Sequence, residues 1–328
     1  MHLRSMNQWR QVLFFLIVLL GIPRIFSFST YPETDDRQFY ADFNEDYAIY
    51  SPPLPENLEF AGHSIPLDDP EIYEHFEREL LVNTYWQSQT LLFLKRAHRY
   101  LPRIEEILAE EGIPQDFNYL PLIESGLRNV VSPAGAVGYW QIMEATGKAY
   151  GLEINQAVDE RYHLEKATRA ACGYLRDAKA ELGSWPLAAA AYNRGLTGIK
   201  KEIDRQKARD FFELKLNPET ARYLYRLLAV KTIMENPRRY GFRLREKDLY
   251  AAIPTYTVAV DTAIDHFDAF NRRFGINYRI LKYHNPWLRY EYLPANPGKT
   301  YHIRLPRQGG QAGAKPSPSG VQSAKDSL

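Results

Sequence analysis

The chain has 328 residues, of which 45% are hydrophobic and 25% are charged, a composition that excludes a disordered chain or a protein with many membrane spans. Its 41 Lys and Arg nearly balance its 40 Asp and Glu, so no overall basic charge indicates nucleic-acid binding. The length suits about two domains, and the single cysteine, Cys172, excludes an intramolecular disulfide framework.

The first 29 residues are typical of an export signal. They contain Arg4, Arg10 and Arg24 and no acidic residue, and an apolar run of 11 residues extends from Val12 to Ile22. A membrane span needs about 20 apolar residues, so this run is short for one. We therefore expect residues 1–29 to be a signal peptide or an N-terminal anchor. If the segment is an anchor, it would attach the protein to the membrane. The expected location is the periplasm or cell envelope.

The next part of the chain changes from proline-rich to helical. Six prolines between residues 30 and 70 predict an extended segment. From Glu71 to Gly112 apolar residues recur at three- and four-residue spacing, which predicts helix, and Leu101-Pro102 predicts a helix start or kink. Further helices are predicted at 114–125, 165–182, 186–194 and 218–235. Residues 71–240 are therefore expected to form one mostly helical domain.

Residues 250–306 have a different pattern, in the order strand, helix, helix, strand. The strands are predicted at 256–260 and 301–305, and the helices at 265–274 and 279–284. The fold class is therefore mainly α, with a small C-terminal α+β module. Residues 307–328 are rich in Gly, Ser, Ala and Pro and are expected to be disordered.

One predicted helix places a carboxylate on an apolar face. Phe117, Leu120 and Glu124 fall at positions i, i+3 and i+7 and so share one side of that helix. Burial raises the pKa of a carboxyl group, and a carboxyl protonated near neutral pH is what a general acid for a glycosidic oxygen needs. The alternative is a helix-end glutamate that reaches solvent or pairs with Arg128.

A glycine-containing segment follows this helix. Gly135 and Gly138 permit a tight turn in which another part of the chain can approach the backbone closely. Trp140 and Gln141 come next, one offering a flat apolar surface and the other an amide that can hold a carboxyl or acetamido group. An ordinary turn into a helix is the alternative.

Two later segments carry polar aromatic residues on predicted helices. Tyr192 and Asn193 place a phenol and an amide at the end of one helix, and Tyr223 lies on another. Taken singly, the first is more often a packing helix and the second a core tyrosine.

Taken together in this order, Glu124-Ser125, Gly135 to Gln141, Ala191-Tyr192-Asn193 and Tyr223 resemble the lytic transglycosylases of the goose-type lysozyme superfamily. The similarity covers roughly residues 76–240 and is closest to the membrane-bound D type. It implies a lysozyme-like helical catalytic domain whose partner is the glycan strand of peptidoglycan. It implies neither a cofactor nor a metal, and the oligomeric state stays unknown.

The resemblance also implies a role for each matching residue. Glu124 would be the catalytic acid and base, and Ser125 beside it would contact the substrate. The substrate cleft would be formed by Gly135, Gly138, Trp140, Gln141, Tyr192, Asn193 and Tyr223. Tyr139 and Glu144 depart from the family's pattern, which more often has a smaller aliphatic residue and a proline there.

The implied reaction is cleavage of the β-1,4 bond between N-acetylmuramic acid and N-acetylglucosamine, with formation of a 1,6-anhydro end. A lysozyme-like hydrolase is one alternative, and it would need a second acid, for which Glu144 and Asp159 are candidates. A non-catalytic peptidoglycan-binding protein is another.

The C-terminal module resembles a degenerate LysM repeat, a sugar-binding module. The similarity rests on segments such as Tyr256-Thr257-Val258 and Tyr301-His302-Ile303, while Val260 stands where the repeat normally has glycine. A structural cap on the catalytic domain is the alternative. The eight histidines are scattered without the spacing of metal ligands.

Overall fold

The computed structural model describes residues 36–45 and 49–307. This part of the chain is mainly helical, as expected, with two short antiparallel strand pairs. The helices are α1 (Asp36–Glu45), α2 (Pro70–Tyr85), α3 (Gln87–Glu110), α4 (Leu120–Ser125), α5 (Glu144–Ala149), α6 (Leu164–Leu182), α7 (Trp185–Arg194), α8 (Leu196–Gln206), α9 (Pro218–Glu235), α10 (Phe267–Phe274) and α11 (Tyr278–His284). The strands are β1 (Glu59–Phe60), β2 (His63–Ser64), β3 (Thr255–Val260) and β4 (Tyr301–Pro306).

Helix α9 lies at the centre of the helical domain. More than half of its residues are buried, because α2, α4 and α7 all pack against it. In α7 the four alanines 188–191 are fully buried, and such small side chains allow neighbouring helices to approach closely. This packing holds Tyr223 of α9 near the end of α4, which carries Glu124.

The helical stretch predicted from Glu71 to Gly112 is divided into two helices. Trp86 lies between α2 and α3 with non-helical backbone angles, φ −81° and ψ 58°. The helix start predicted as one possibility at Leu101-Pro102 is wrong, because α3 continues through these residues. Pro102 is exposed on the outer side of α3, where its ring projects into solvent.

The segment predicted to be extended, residues 30–70, has regular structure in its described part. It contains α1 and the β1–β2 hairpin, and Leu58, Phe60 and Ile65 belong to the main hydrophobic core. The expectation of an extended linker is therefore wrong for these residues. The segment is rich in proline, but apolar side chains lie between the prolines and are covered by the helical domain.

The C-terminal module has the predicted order of elements. Strands β3 and β4 pair antiparallel, with Thr255 opposite Pro306 and Val260 opposite Tyr301, and α10 and α11 lie between them in sequence. Phe267, Leu281 and Ile303 are fully buried between these helices and strands.

The module packs directly on the helical domain. The backbone N–H of Asp159 donates to the carbonyl oxygen of Trp287 at 2.9 Å, and that of Arg289 donates to Ala157 at 2.8 Å. Val158 and Tyr162 share a hydrophobic cluster with residues of the module. The two parts therefore share an interface of backbone hydrogen bonds and apolar contacts.

The predicted signal or anchor, 1–29, and residues 308–328 of the predicted disordered tail lie outside the described residues. Within the described ranges, no helix has both the length and the apolar character needed to cross a bilayer.

Candidate active site

The carboxylate of Glu124 lies at the end of a short helix built on buried residues. Phe117 and Leu120 are fully buried, so the predicted apolar face is confirmed. The first part of this segment, Gln115–Tyr119, is a 3₁₀ helix, and α4 follows it. Gly126 ends α4 in the left-handed conformation, φ 61°, and its N–H donates to Leu122 at 2.9 Å.

The surroundings of Glu124 change its acidity. Burial raises its pKa from an ordinary value of 4.5 to about 7. The hydroxyl of Tyr223 donates a hydrogen bond to Oε1 of Glu124, which lowers the pKa, as does the charge of Arg226. The charge of Glu219 raises it. At neutral pH the group can therefore both donate and accept a proton, as a general acid and base must.

Ser125 connects α4 to the glycine-containing segment. Its hydroxyl is buried and lies 2.7 Å from the carbonyl oxygen of Tyr139 and 3.0 Å from that of Pro121. The expectation that Ser125 contacts substrate is therefore wrong, because its hydroxyl is occupied inside the protein. The alternative pairing of Glu124 with Arg128 is not formed either: Arg128 Nε donates to the carbonyl oxygen of Ser125 at 3.2 Å.

Two glycines in the segment 135–141 adopt positive φ, and they differ in the space around them. At Gly138, φ 83°, a Cβ atom would overlap the carbonyl oxygen of Arg161, so the close approach itself requires glycine. Gly135, φ 86°, has open space around it. The N–H of Gly138 donates to Val130 at 2.9 Å, which closes the turn.

Gln141 is held within the same turn. It has a positive φ of 49°, and its Nε2 donates to Gly138 at 2.8 Å and to Val130 at 3.1 Å. These bonds fix the amide through its nitrogen and leave its oxygen as the group that a substrate could contact.

Trp140 does not form a wall of the cleft, so the expected contact between its ring and the sugar is wrong. The side chain is fully buried, and Nε1 donates to Oγ1 of Thr168 at 2.8 Å. The indole therefore anchors the segment 135–141 to α6. An aromatic residue that sits beside polar groups in sequence is as easily a core residue, and spacing alone does not separate the two.

The pair Tyr192 and Asn193 lies between this segment and α9. The hydroxyl of Tyr192 donates to the carbonyl oxygen of Trp140 at 2.7 Å. Asn193 accepts from the hydroxyl of Thr220 at 2.9 Å and its Nδ2 lies 3.4 Å from a carboxylate oxygen of Glu219. Asn193 is partly exposed, so it can still contact a ligand. Tyr192 serves chiefly to hold the turn.

Two charged residues that act on Glu124 were not among the site residues predicted from the sequence. Glu219 precedes Tyr223 by four residues on α9, and Arg226 follows it by three. Residues at these spacings share one face of a helix, so the position of Tyr223 was the signal that could have identified them.

The acids considered for a hydrolase are occupied elsewhere. Asp159 is buried and bound twice by Arg161, at 3.0 and 2.7 Å. Glu144 is paired with Lys148 at 2.6 Å on the surface. Within the described ranges, no group of three His, Cys, Asp or Glu residues could hold a metal ion.

Comparison with protein families gives two matches. Residues 104–215 match the transglycosylase SLT domain, and residues 256–309 match the soluble lytic transglycosylase C-terminal LysM-like domain. The first range contains Glu124, the segment 135–141 and Asn193, while Tyr223 follows it. The resemblance to lytic transglycosylases and the LysM-like character of the C-terminal module are confirmed.

Individual proteins give a consistent result. The chain is 34% identical over 198 residues to membrane-bound lytic murein transglycosylase D of Escherichia coli (strain K12), a match that covers 58% of this chain and 43% of that protein. The chain therefore spans less than half the length of this curated relative.

Two solved structures are also similar to parts of this chain. The 70 kDa soluble lytic transglycosylase of Escherichia coli has a TM-score of 0.39 and 18% identity, covering 54% of this chain and 33% of that one. An inactive mutant of the lytic transglycosylase Slt of Pseudomonas aeruginosa has a TM-score of 0.36 and 19% identity, covering 46% and 26%.

Proposed function

We propose that the protein is an exported lytic transglycosylase that cleaves the glycan strands of peptidoglycan in the cell envelope. The observation that carries the proposal is the state of Glu124: a half-buried carboxyl whose pKa is raised by desolvation to about 7 and which accepts a hydrogen bond from the hydroxyl of Tyr223. The matching SLT domain and the similarity to murein transglycosylase D support the same chemistry.

The first step uses the protonated form of Glu124. The carboxyl gives its proton to the β-1,4 glycosidic oxygen, the bond from that oxygen to C1 of N-acetylmuramic acid breaks, and N-acetylglucosamine leaves as the alcohol. The acetamido group of the muramic residue stabilises the positive charge at C1. The hydrogen bond from Tyr223 stabilises the carboxylate that results.

The second step returns the proton to Glu124. The carboxylate takes the proton of the C6 hydroxyl as the C6 oxygen bonds to C1, which gives a 1,6-anhydro end without consumption of water. One carboxylate suffices because the substrate supplies the nucleophile, in contrast to glycosidases that use a pair of acids. This accords with Asp159 and Glu144 being bound to Arg161 and Lys148.

Three residues would position the glycan at this carboxyl. Asn193 and the amide oxygen of Gln141 are polar groups that suit the hydroxyl and acetamido groups of a sugar. Tyr223 orients Glu124 through its hydrogen bond and would lie next to the bound sugar. The other predicted residues have an indirect role: Ser125, Trp140 and Tyr192 fix the backbone of the segment 135–141.

Digestion of purified peptidoglycan tests the proposal. Wild type should release soluble muropeptides, and Glu124→Gln should release none while it keeps its fold and still sediments with the insoluble wall. Glu144→Gln is the matched control, since it makes the same change at an exposed glutamate, and it should digest as the wild type does. Release of muropeptides by Glu124→Gln at the wild-type rate would refute the role of Glu124.

A further inference from the structure

A cavity of about 190 Å³ lies between the helical domain and the C-terminal module. Residues of α3 and of the beginning of α6 form one side, and the end of α11 with β4 forms the other. Pockets that hold drug-sized ligands have volumes of roughly 300–1,000 Å³. The occupant that fits this cavity is therefore a small molecule or the end of a chain.

Aromatic rings line the cavity. The ring centroids of Tyr100 and Tyr139 are 5.3 Å apart. The ring centroids of Trp287 and His163 are 5.9 Å apart. Tyr139 is the residue that departs from the family's usual small aliphatic residue. These walls suit a ligand with an apolar part.

The charges of the lining are unbalanced. Arg99, Arg103 and Arg304 contribute three guanidinium groups, and Glu165 is the one carboxylate among the lining residues. That carboxylate is already bound, since Arg304 donates to Oε1 and Nδ1 of His163 lies 3.2 Å from Oε2. Arg103 pairs with the exposed Glu106 at 2.7 Å, and its Nε also lies 3.7 Å from Oε1 of Glu165. The lining therefore carries more positive than negative charge, and Arg99 is the arginine whose charge is not paired with a carboxylate in the described part of the chain.

The guanidinium of Arg99 has more N–H donors than it has acceptors among the described residues. Its Nε donates to the carbonyl oxygen of Ala251 at 3.0 Å and one terminal nitrogen donates to the hydroxyl of Tyr283 at 3.1 Å. A guanidinium has five N–H groups, so three have no acceptor among the described residues. No carboxylate of the described residues pairs with Arg99, although its side chain is partly buried. Arginine in this situation favours a planar anion, bound through two parallel hydrogen bonds.

We propose that this cavity binds the terminal carboxylate of a short peptide, with Arg99 holding the carboxylate and the rings of Tyr100, Tyr139 and Trp287 covering the apolar side chain. A free peptide and a peptide attached to a glycan strand both carry this group. Only the second source rests on the function proposed above.

Calorimetric titration of the full chain tests the site. The probe is D-alanyl-D-alanine, and its C-terminal amide is the control ligand, which has the same size without the charge. We expect the dipeptide to bind and the amide to bind at least tenfold more weakly. Equal binding of the two, or no binding of the dipeptide at about 10 mM, where even a millimolar site would be filled, overturns the proposal.

Variants assign the binding to the cavity. Arg99→Gln should weaken dipeptide binding at least tenfold, and Arg99→Lys should restore part of it. Arg209→Gln removes an exposed arginine outside the cavity and should bind as wild type does. Thermal unfolding without ligand checks that each variant is folded. Wild-type affinity in folded Arg99→Gln would overturn the site.

A second titration distinguishes the two sources. A disaccharide that carries the same peptide end should bind more tightly than the dipeptide if the natural ligand is attached to glycan, and no more tightly if it is a free peptide. Arg99→Gln should weaken both. Glycan release by the Glu124 site is measured in a separate assay. A protein that binds the dipeptide but releases no glycan, or the reverse, would therefore show which of the two proposals fails.

Discussion

The hydroxyl of Tyr223 on α9 donates a hydrogen bond to Oε1 of Glu124 on α4, although the two residues are 99 positions apart in the chain. The bond acts against burial, because it favours the charged carboxylate while burial favours the neutral acid. The opposition of these two effects leaves the pKa of Glu124 at about 7, where both protonation states are available.

Removal of this bond should raise the pKa of Glu124 further. In Tyr223→Phe the carboxylate of Glu124 loses this hydrogen bond. A hydrogen bond to a charged acceptor contributes about 1.5–3 kcal/mol, which corresponds to a pKa change of about one to two units. In the proposed reaction, cleavage begins with the protonated acid. The alkaline limb of the kcat/KM profile should therefore move to higher pH by about one unit or more, with a lower maximal rate.

Tyr192→Phe is the matched control for this profile. It removes a hydroxyl that donates to the carbonyl oxygen of Trp140 rather than to Glu124. We expect a lower rate with an unchanged midpoint. A profile of Tyr223→Phe that moves to lower pH, or that does not move, contradicts the account of this hydrogen bond.

The raised pKa of Glu124 should make the folded protein less stable at neutral pH. The pKa rises from 4.5 to about 7 on folding, so the unfolded chain releases its proton first and stability falls as pH rises from 4.5 to 7. Glu124→Gln removes this penalty. It should therefore unfold at a higher temperature than wild type at pH 7.5, with a gain of about 1–3 kcal/mol, and show no gain at pH 4.

Glu105 offers a matched test of the same principle away from the site. Burial raises its pKa to about 7, and Asn118 donates to it at 3.2 Å. Glu105→Gln should give a similar gain in thermal stability at pH 7.5 and keep full activity. If either variant is less stable than wild type at that pH, the assignment of a buried, partly protonated carboxyl is wrong at that position.

The two glycines of the segment 135–141 should differ in their tolerance of alanine. Gly138→Ala combines positive φ with overlap of the Arg161 carbonyl oxygen, so it should cost about 3 kcal/mol or more of unfolding free energy. Gly135→Ala meets only the backbone cost of about 1–2 kcal/mol. Denaturant unfolding measures both values. Equal costs would show that the close approach does not determine the requirement at Gly138.

Local features of the chain predicted the carboxyl and its environment well. The spacing of Phe117, Leu120 and Glu124 is sufficient to place a glutamate against the core, because side-chain direction on a helical segment follows from position in sequence. The predicted strands 256–260 and 301–305 differ from β3 and β4 by one residue each, since alternating apolar residues mark a strand with one buried face.

Contacts between distant segments could not be predicted in the same way. Trp140 is buried against α6, where Thr168 accepts the hydrogen bond of its indole. The hydroxyl of Ser125 is bound within the protein because the carbonyl oxygen of Tyr139, in the next segment, lies within hydrogen-bond distance. Arg99 lines a cavity only because the C-terminal module closes over α3. Each of these outcomes depends on packing between segments that the spacing of residues does not specify.

Mass spectrometry of the muropeptides released from purified peptidoglycan is the most direct test of the proposed reaction. If Glu124 acts alone as acid and then base, the new muramic ends should be 1,6-anhydro sugars, each lighter by one water molecule than a hydrolysed end, and Glu124→Gln should yield neither. Reducing muramic ends as the main product of the wild-type protein would contradict the account, because they would require a held water molecule and hydrolysis.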